Sequence, residues 1–132
     1  KTKDPYKIAR AMDIELQIGY MGHRLGCYMY LKRSKCIWLN EDLDPHEMEF
    51  VMAHELGHAI MHPYENCYFI KHKTLLLNSK REIEANKFAV EFLISDDEVQ
   101  EYAVERQYTI DMLSRLWGYE KELIELRLRG VK

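Results

Sequence analysis

Hydrophobic positions recur along the chain at two different periods, and each period predicts a different element. After Asp4-Pro5, a typical helix start, apolar residues at helical spacing predict a first helix that runs to about Leu16. Residues 25–31 and 36–39 are instead rich in β-branched, aromatic and other apolar side chains, and polar residues 32–35 separate them. This pattern predicts two strands joined by a tight turn, which form a small antiparallel hairpin.

The next helix has the clearest boundaries in the chain. Asp44 is a suitable N-cap, Pro45 fits the first turn, and Glu47 stands at the capping-box position. The apolar residues that follow fall on more than one face, which is typical of a helix buried among its neighbours. Because Pro63 cannot continue a helix, we predict one long core helix from Pro45 to about Met61.

Helices also dominate the second half of the chain. After an irregular segment at residues 62–78, Ser79 and Glu82 form a capping box that opens a second core helix. Ser95 with Glu98 starts a third helix in the same way. The pattern therefore places a run of helices after the hairpin and the long core helix.

Length and composition agree with one folded unit. The chain has 132 residues, of which 47% are hydrophobic and 31% charged, and these values exclude a disordered tail and a disulfide-dense mini-protein. We predict an α+β fold, mostly helical with a short antiparallel β-sheet, in a single domain over residues 1–132. Two shorter helices within residues 109–129 complete it, and the helical region at about 96–129 packs on the rest.

Charge and cysteine content indicate the compartment of the protein and the classes of partner that it binds. The net charge of -3 is too balanced for a protein that binds mainly phosphate backbone or an anionic membrane. Three cysteines without motif spacing are typical of free thiols in a reducing compartment. No run reaches the roughly 18–20 apolar residues that a membrane span needs. We expect a cytoplasmic protein with no membrane partner.

Candidate chemistry lies within the long core helix, in the segment His54-Glu55-Leu56-Gly57-His58. Histidines four residues apart lie on one helix face, where both rings can bind one metal ion, and this H-E-x-x-H pattern is typical of metalloproteases. Two core histidines held only by hydrogen bonds are the alternative. A metal ion is favoured because buried polar groups without partners are costly, and one ion satisfies the two histidines and the glutamate together.

A catalytic zinc site typically has three protein ligands and one water, so the two histidines leave one ligand to find. Glu82 and Glu84, in the second core helix, are the candidates. Glu82 is favoured because Asn86 lies one turn further on the same face and can hydrogen-bond the second nitrogen of a ligating imidazole. Glu84 points about 160° away from it. The expected ion is Zn²⁺, although such a site also accepts Mn²⁺, Fe²⁺ or Co²⁺.

These residues predict metal-assisted peptide hydrolysis. A bound zinc ion lowers the pKa of its water towards about 7 and polarises the scissile carbonyl, and Glu55 is the general base that takes the proton of the zinc-bound water. An extended protein substrate could pair with the strand at residues 36–39, immediately before the metal helix. Candidates for oxyanion or substrate contacts are four side chains of the following loop: His62, Tyr64, Tyr68 and His72.

Beyond the H-E-x-x-H segment, the second core helix contains Arg81-Glu82-Ile83-Glu84-Ala85-Asn86-Lys87-Phe88-Ala89 and continues to Phe92-Leu93. Together the two segments resemble the ImmA/IrrE family of metallopeptidases. The similarity extends more loosely to Asp4-Pro5, to residues 37–40 and to the loop with Phe69 and Thr74. The resemblance implies a small zincin-like domain and a Zn²⁺ endopeptidase of phages, integrative elements and bacterial chromosomes. It also implies a protein substrate, a helix-turn-helix transcriptional repressor that the enzyme inactivates by cleavage.

The chain is also similar to gluzincins, in which a Glu followed four residues later by Asp or Asn supplies the third metal ligand. That similarity favours Glu82, with Asn86 four residues later, over Glu84. One departure from the ImmA/IrrE family lies at Ile94-Ser95-Asp96, where the family often has Pro, and it affects only the helix end.

Two functions without catalysis are the alternatives. Residues 109–129 can be interpreted as a helix, a turn at Gly118 and a second helix with exposed Arg127 and Arg129, which would suit a DNA-binding module. Acidic residues in the same region partly balance these arginines, so direct binding to nucleic acid is not favoured. A metal-containing anti-repressor that binds its partner without cutting it is the second alternative.

Overall fold

A computed structural model of the chain describes residues 4–70 and 80–129, and for residues 67–70 it describes the backbone alone. The elements follow in this order: α1 (Pro5–Ala11), β1 (Glu15–Gly19), β2 (Arg24–Leu31), β3 (Ser34–Asn40), α2 (Pro45–Met61), β4 (Cys67–Ile70), α3 (Lys80–Leu93), α4 (Asp96–Glu98), a π-helical segment (Val99–Glu105), α5 (Ile110–Trp117) and α6 (Lys121–Leu128). The predicted α+β class is therefore confirmed. None of the helices described combines the length and the apolar character that a membrane crossing requires.

The described strands form one mixed sheet in the order β1-β3-β2-β4. The hairpin of β2 and β3 is antiparallel, as predicted, and pairs Cys27 with Trp38. β4 adds antiparallel to the other side of β2, whereas β1 runs parallel to β3 and pairs Leu16 with Ile37. The short antiparallel sheet of the prediction is present, and β1 adds a parallel strand to it that the sequence analysis did not predict.

The first helix is shorter than predicted. Asp4 caps it by accepting a hydrogen bond from the Tyr6 amide at 2.9 Å, but the helix ends at Ala11 instead of about Leu16. Asp13 then adopts a left-handed conformation with φ of 58°, which turns the chain into β1. Leu16 packs against the hydrophobic core, but it does so from β1. Its position at helical spacing from the earlier apolar residues therefore hid the transition from helix to strand.

The segment predicted to be irregular, residues 62–78, contains β4. Its sequence Cys67-Tyr68-Phe69-Ile70 is rich in aromatic and β-branched side chains, which is a strand signal that the prediction overlooked. Residues 71–79 lie outside the described residues, and with them the predicted cap of α3 at Ser79.

α2 has the bounds that the sequence predicts. At its start the Asp44 carboxylate accepts a hydrogen bond from the Glu47 amide at 2.8 Å, and the Glu47 carboxylate accepts one from the Asp44 amide at 3.1 Å. The predicted capping box is therefore formed, and Ser95 and Glu98 form another before α4. Residues 51–59 are buried, so α2 crosses the interior, where it contacts β2, β3 and α3.

Two hydrophobic clusters make up the described core. The first joins α1, the sheet and α2, and the second joins α3, the π-helical segment, α5 and α6. Phe50 of α2 packs against both clusters and links them. The buried members of the second cluster are Val90, Ile94, Val99, Leu113, Trp117 and Ile124.

The environment of Arg127 in the C-terminal helices does not agree with the DNA-binding interpretation. Gly118, at φ of 77°, does separate α5 from α6. Arg127, however, is only 5% exposed, donates from Nε to the Ile94 carbonyl at 2.9 Å and bonds to Asp96. The expectation that it is exposed for DNA is wrong, because it joins α6 to the end of α3.

Candidate metal centre

α2 carries two histidines close to α3. His54 is fully buried and His58 is 1% exposed, and their ring centroids lie 4.9 Å apart. Their spacing of one helical turn places both rings on one side of α2. Burial lowers the pKa of His54, against the opposing effect of its hydrogen bond to Glu82. The neutral imidazole, which is the form that binds metals, is therefore favoured.

Glu82 enters the same space from the first turn of α3. Its Oε1 lies 2.9 Å from His54 Nε2, and its Oε2 lies 3.2 Å from His58 Nε2. One ligand atom from each of the three residues lies within 4.8 Å of the others, so the group could hold a metal ion. Burial raises the pKa of Glu82, but its interactions with the imidazoles of His54 and His58 outweigh this effect and lower the pKa to about 2.

The second nitrogen of each histidine also has a partner. His54 Nδ1 donates to Asn86 Oδ1 at 2.8 Å, which leaves its Nε2 facing Glu82. Nδ1 of His58 lies 3.2 Å from Nδ1 of His62. Both rings are therefore held from the side opposite Glu82.

His62 and Glu84 form a pair that the sequence patterns did not predict. His62 Nε2 lies 3.0 Å from Glu84 Oε1, and the Glu84 side chain is 41% exposed. Glu84 is thus not one of the three converging residues. The available signal was a third histidine, four residues after His58, which the helical spacing places beside it.

The other loop candidates lie apart from these contacts or outside the description. Tyr64 is 74% exposed, and its ring meets Tyr30 edge-on with centroids 5.0 Å apart. Tyr68 lies in β4, where the backbone alone is described, and His72 lies outside the described residues. Their roles in oxyanion or substrate contacts stay predictions, as does that of His62.

Glu55 lies on the side of α2 that faces β2 and is fully buried. Neither of its carboxylate oxygens has a hydrogen-bond partner among the described residues, and the same is true of His58 Nε2. Burial raises the pKa of Glu55 well above its usual value, and the negative charge of Glu82 raises it further. Because buried polar atoms without partners are costly, this arrangement fits a metal ion and a water molecule between these groups.

The sheet presents a different edge from the one predicted for a substrate. Residues 36–39 belong to β3, whose two sides pair with β1 and β2. An extended peptide cannot pair with β3, so that prediction is wrong. Among the described strands the edges are β1 and β4, and β4 adjoins β2, which carries Gly26 against the Glu55 carboxylate.

Known proteins resemble this chain over most of its length. Residues 9–129 match the family Peptidase_M78, described as an IrrE N-terminal-like domain. Immunity region protein 2 of Bacillus phage phi105 is 40% identical over 128 residues, which cover 96% of this chain and 80% of the phage protein. Metallopeptidase ImmA of Bacillus subtilis (strain 168) is 29% identical over 125 residues, which cover 93% of this chain and 67% of ImmA.

A solved structure shares the fold. A Mycobacterium tuberculosis transcriptional regulator matches with a TM-score of 0.55 and 21% sequence identity. The match covers 99% of this chain and 42% of the regulator, so the chain spans less than half the length of that protein. At this identity the likeness concerns the fold alone.

Proposed function

The chain belongs to the Peptidase_M78 family of IrrE N-terminal-like domains, a family of metallopeptidases, and from this premise we propose that it is a zinc-dependent endopeptidase. The observation that carries the proposal is the convergence of three residues, His54, His58 and Glu82, close to the buried Glu55. Two histidines and a glutamate are a ligand set of catalytic zinc sites, where the fourth position is left for water.

His54 and His58 would bind the ion through Nε2, and Glu82 through its carboxylate. The two nitrogens face the carboxylate at 2.9 and 3.2 Å, so one ion between them would replace the direct contacts. Zinc is the proposed ion because its tetrahedral preference suits three protein ligands and one open position. When bound, it supplies a Lewis acid that activates water and polarises a carbonyl.

Glu55 would act as the general base. Its buried carboxylate has no hydrogen-bond partner among the described residues, so it can take a proton from the attacking water and then give this proton to the leaving amine. Gly26 of β2 adjoins the carboxylate, since a Cβ atom there would lie at ordinary contact distance, 3.5 Å, from Glu55 Oε2. The strand therefore packs beside the base.

The proposed substrate is a protein, in particular a helix-turn-helix repressor in the cytoplasm. Support comes from the relatives, of which one is a phage immunity region protein and one is named metallopeptidase ImmA. An extended segment of the substrate could pair with β4, the described edge strand beside β2. Main-chain hydrogen bonds would then hold this substrate segment at the β4 edge of the sheet, next to the strand that adjoins Glu55.

Metal content tests the site. We expect about one zinc per chain in the wild-type protein, measured by mass spectrometry after dialysis. Glu82→Gln should lose the metal. Glu91→Gln is the matched control, because Glu91 lies on the same helix, is about half exposed and pairs with Lys87. A wild-type protein that binds no metal after zinc is supplied would overturn the proposal.

Hydrolysis is tested separately with Glu55→Gln. This variant should retain zinc and lose about 10²- to 10⁴-fold in cleavage rate, because a general base contributes that much. The assay incubates the protein with a helix-turn-helix repressor from the same genome and identifies new peptide termini by mass spectrometry. Equal activity of the variant would contradict the role of Glu55. Repressor inactivation without new termini would favour the binding-only anti-repressor.

A further inference from the structure

A chain of three side chains links the surface of α3 to the far nitrogen of His58. Glu84 Oε1 lies 3.0 Å from His62 Nε2, and His62 Nδ1 lies 3.2 Å from His58 Nδ1. Exposure of the side chains falls along this path from 41% at Glu84 to 12% at His62 and 1% at His58. The path therefore runs from solvent to the candidate metal centre.

The hydrogen-bonding capacities of these groups fix the direction of the chain. An ionised Glu84 only accepts, so Nε2 of His62 is the donor. A neutral imidazole with its proton on Nε2 has a bare Nδ1, which accepts. Nδ1 of His58 therefore carries the proton that is shared with His62. The lone pair of His58 is then on Nε2, the nitrogen that faces Glu82.

We propose that Glu84 and His62 are positioning residues, which hold His58 in the tautomer whose Nε2 can bind the metal ion. The inference rests on the proposed function, because it requires His58 to be a ligand. Without Glu84, His62 can place its proton on Nδ1 and donate to His58. The His58 proton then moves to Nε2, where it blocks metal binding. Hydrogen bonds to the second nitrogen orient metal-bound histidines and fix their tautomer.

The two histidines of the centre are thus held in different ways. His54 donates directly to Asn86, which is 3% exposed, whereas His58 depends on a partner that is itself set by the exposed Glu84. A contact of an exposed carboxylate contributes little to folding stability. We therefore expect substitution of Glu84 to change metal affinity more than it changes the free energy of unfolding.

Zinc affinity, measured by competition with a chromophoric chelator, tests the chain of contacts. His62→Leu should bind zinc about 10- to 100-fold more weakly than the wild-type protein. His62→Asn should recover most of the affinity, since its Oδ1 can accept the proton that His58 donates. Glu84→Gln should also weaken zinc binding, but by less than His62→Leu does. Glu91→Gln, two turns further along α3, should leave the zinc affinity unchanged. Unfolding of the metal-free variants controls for damage to the fold.

Cobalt substitution gives a readout that a purely structural role would not change. In a Co²⁺ protein the N–H protons of bound imidazoles shift far outside the normal proton NMR range and disappear in D₂O. We expect two such signals, one from His54 beside Asn86 and one from His58 beside His62. His62→Leu should broaden or remove only the second signal, because that proton loses its acceptor, and Glu84→Gln, whose amide oxygen can still accept from His62, should change that signal less.

The outcomes separate this inference from the proposed function. Unchanged zinc affinity and two unchanged cobalt-shifted signals in His62→Leu would overturn the positioning role and leave the peptidase proposal intact. An equal loss of affinity in His62→Asn and His62→Leu would also overturn it, because the restored acceptor would then have no effect. A wild-type protein that binds neither zinc nor cobalt would overturn the proposed function itself.

Discussion

Gly57 of α2 lies directly against the side chain of Phe88 in α3. A Cβ atom on Gly57 would lie 3.1 Å from Phe88 Cδ1 and 3.2 Å from Phe88 Cβ. The absent side chain lets the two helices approach closely next to His58, and this approach brings Glu82 to the two histidines. A glycine inside a helix costs about 1 kcal/mol relative to alanine, and close packing at this point offsets the loss.

Gly57→Ala is therefore expected to weaken zinc binding without unfolding the protein. The methyl group gains about 1 kcal/mol of helix propensity but presses on Phe88 Cβ, which is fixed to the α3 backbone. α3 must then shift, and Glu82 shifts with it. We expect a net change in stability within about 1 kcal/mol and a clear loss of zinc affinity in chelator competition. Unchanged affinity would show that the helix spacing does not govern the site.

Local signals were sufficient to predict α2 and its histidine face. Asp44 and Glu47 define the helix start through hydrogen bonds within four residues, which a sequence pattern can reveal. The relation between His54 and His58 follows from helix geometry alone. The preference for Glu82 came from the same periodicity, together with the resemblance to known metallopeptidases.

Contacts between distant segments were not available from local patterns. Leu16 fits the helical spacing of α1 until its partner strand is known, and that partner, Ile37, lies far along the chain. The contact between His62 and Glu84 forms only where α3 lies against the end of α2. Tertiary structure decides both features, so neither propensity nor spacing could predict them.

The buried Glu55 predicts how the stability of the metal-free protein depends on pH. Burial raises its pKa from the usual 4.5, so around and above that pH the folded state keeps a proton that the unfolded state releases. The stabilising contribution is complete below pH 4.5 and is lost as the pH rises through the folded-state pKa. Because Glu55→Gln cannot ionise, it should be more stable than the wild-type protein at neutral pH in urea unfolding with EDTA.

Glu82 should act in the opposite sense. Its pKa falls from 4.5 to about 2 in the folded state, so its contribution is present above pH 4.5 and is lost as the pH falls towards 2. Glu82→Gln should reduce the dependence of the free energy of unfolding on pH in the acid range. Glu55→Gln should change this dependence near neutral pH. If both substitutions altered the same side, the opposite pKa shifts of the two carboxyl groups would be contradicted.

Gly26 of β2 has no room for a side chain. A Cβ atom there would lie 2.8 Å from the Trp38 carbonyl oxygen and 2.8 Å from Val51 Cγ1. Because the carbonyl belongs to the backbone of β3, the strands must move apart, and Gly26→Ala should destabilise the protein by about 1–3 kcal/mol. Gly19→Ala in β1 is the control, since its Cβ would meet Trp38 Cζ3 at 3.9 Å, an ordinary contact. Equal unfolding midpoints for the two variants would contradict the steric argument.

Arg127 joins α6 to the end of α3 through two unequal contacts. Nε donates to the Ile94 carbonyl at 2.9 Å, and the guanidinium bonds to Asp96 at 2.7 Å. The Arg127 side chain is 6% exposed, whereas the Asp96 side chain is 98% exposed. The first contact is sheltered from water and the second is not, so we expect the first to contribute most of the stabilisation.

Arg127→Met should destabilise the protein by about 1–3 kcal/mol, because it removes the donor to a buried carbonyl. Asp96→Asn should cost less than about 1 kcal/mol, since an exposed ion pair contributes little. Urea unfolding followed by circular dichroism measures both, and equal losses would place the stabilisation in the ion pair. Zinc affinity shows whether the effect of Arg127→Met stays at the contact between α6 and α3 or extends to the metal centre. If Arg127→Met weakened zinc binding, α6 would help to hold α3, and with it Glu82, in place.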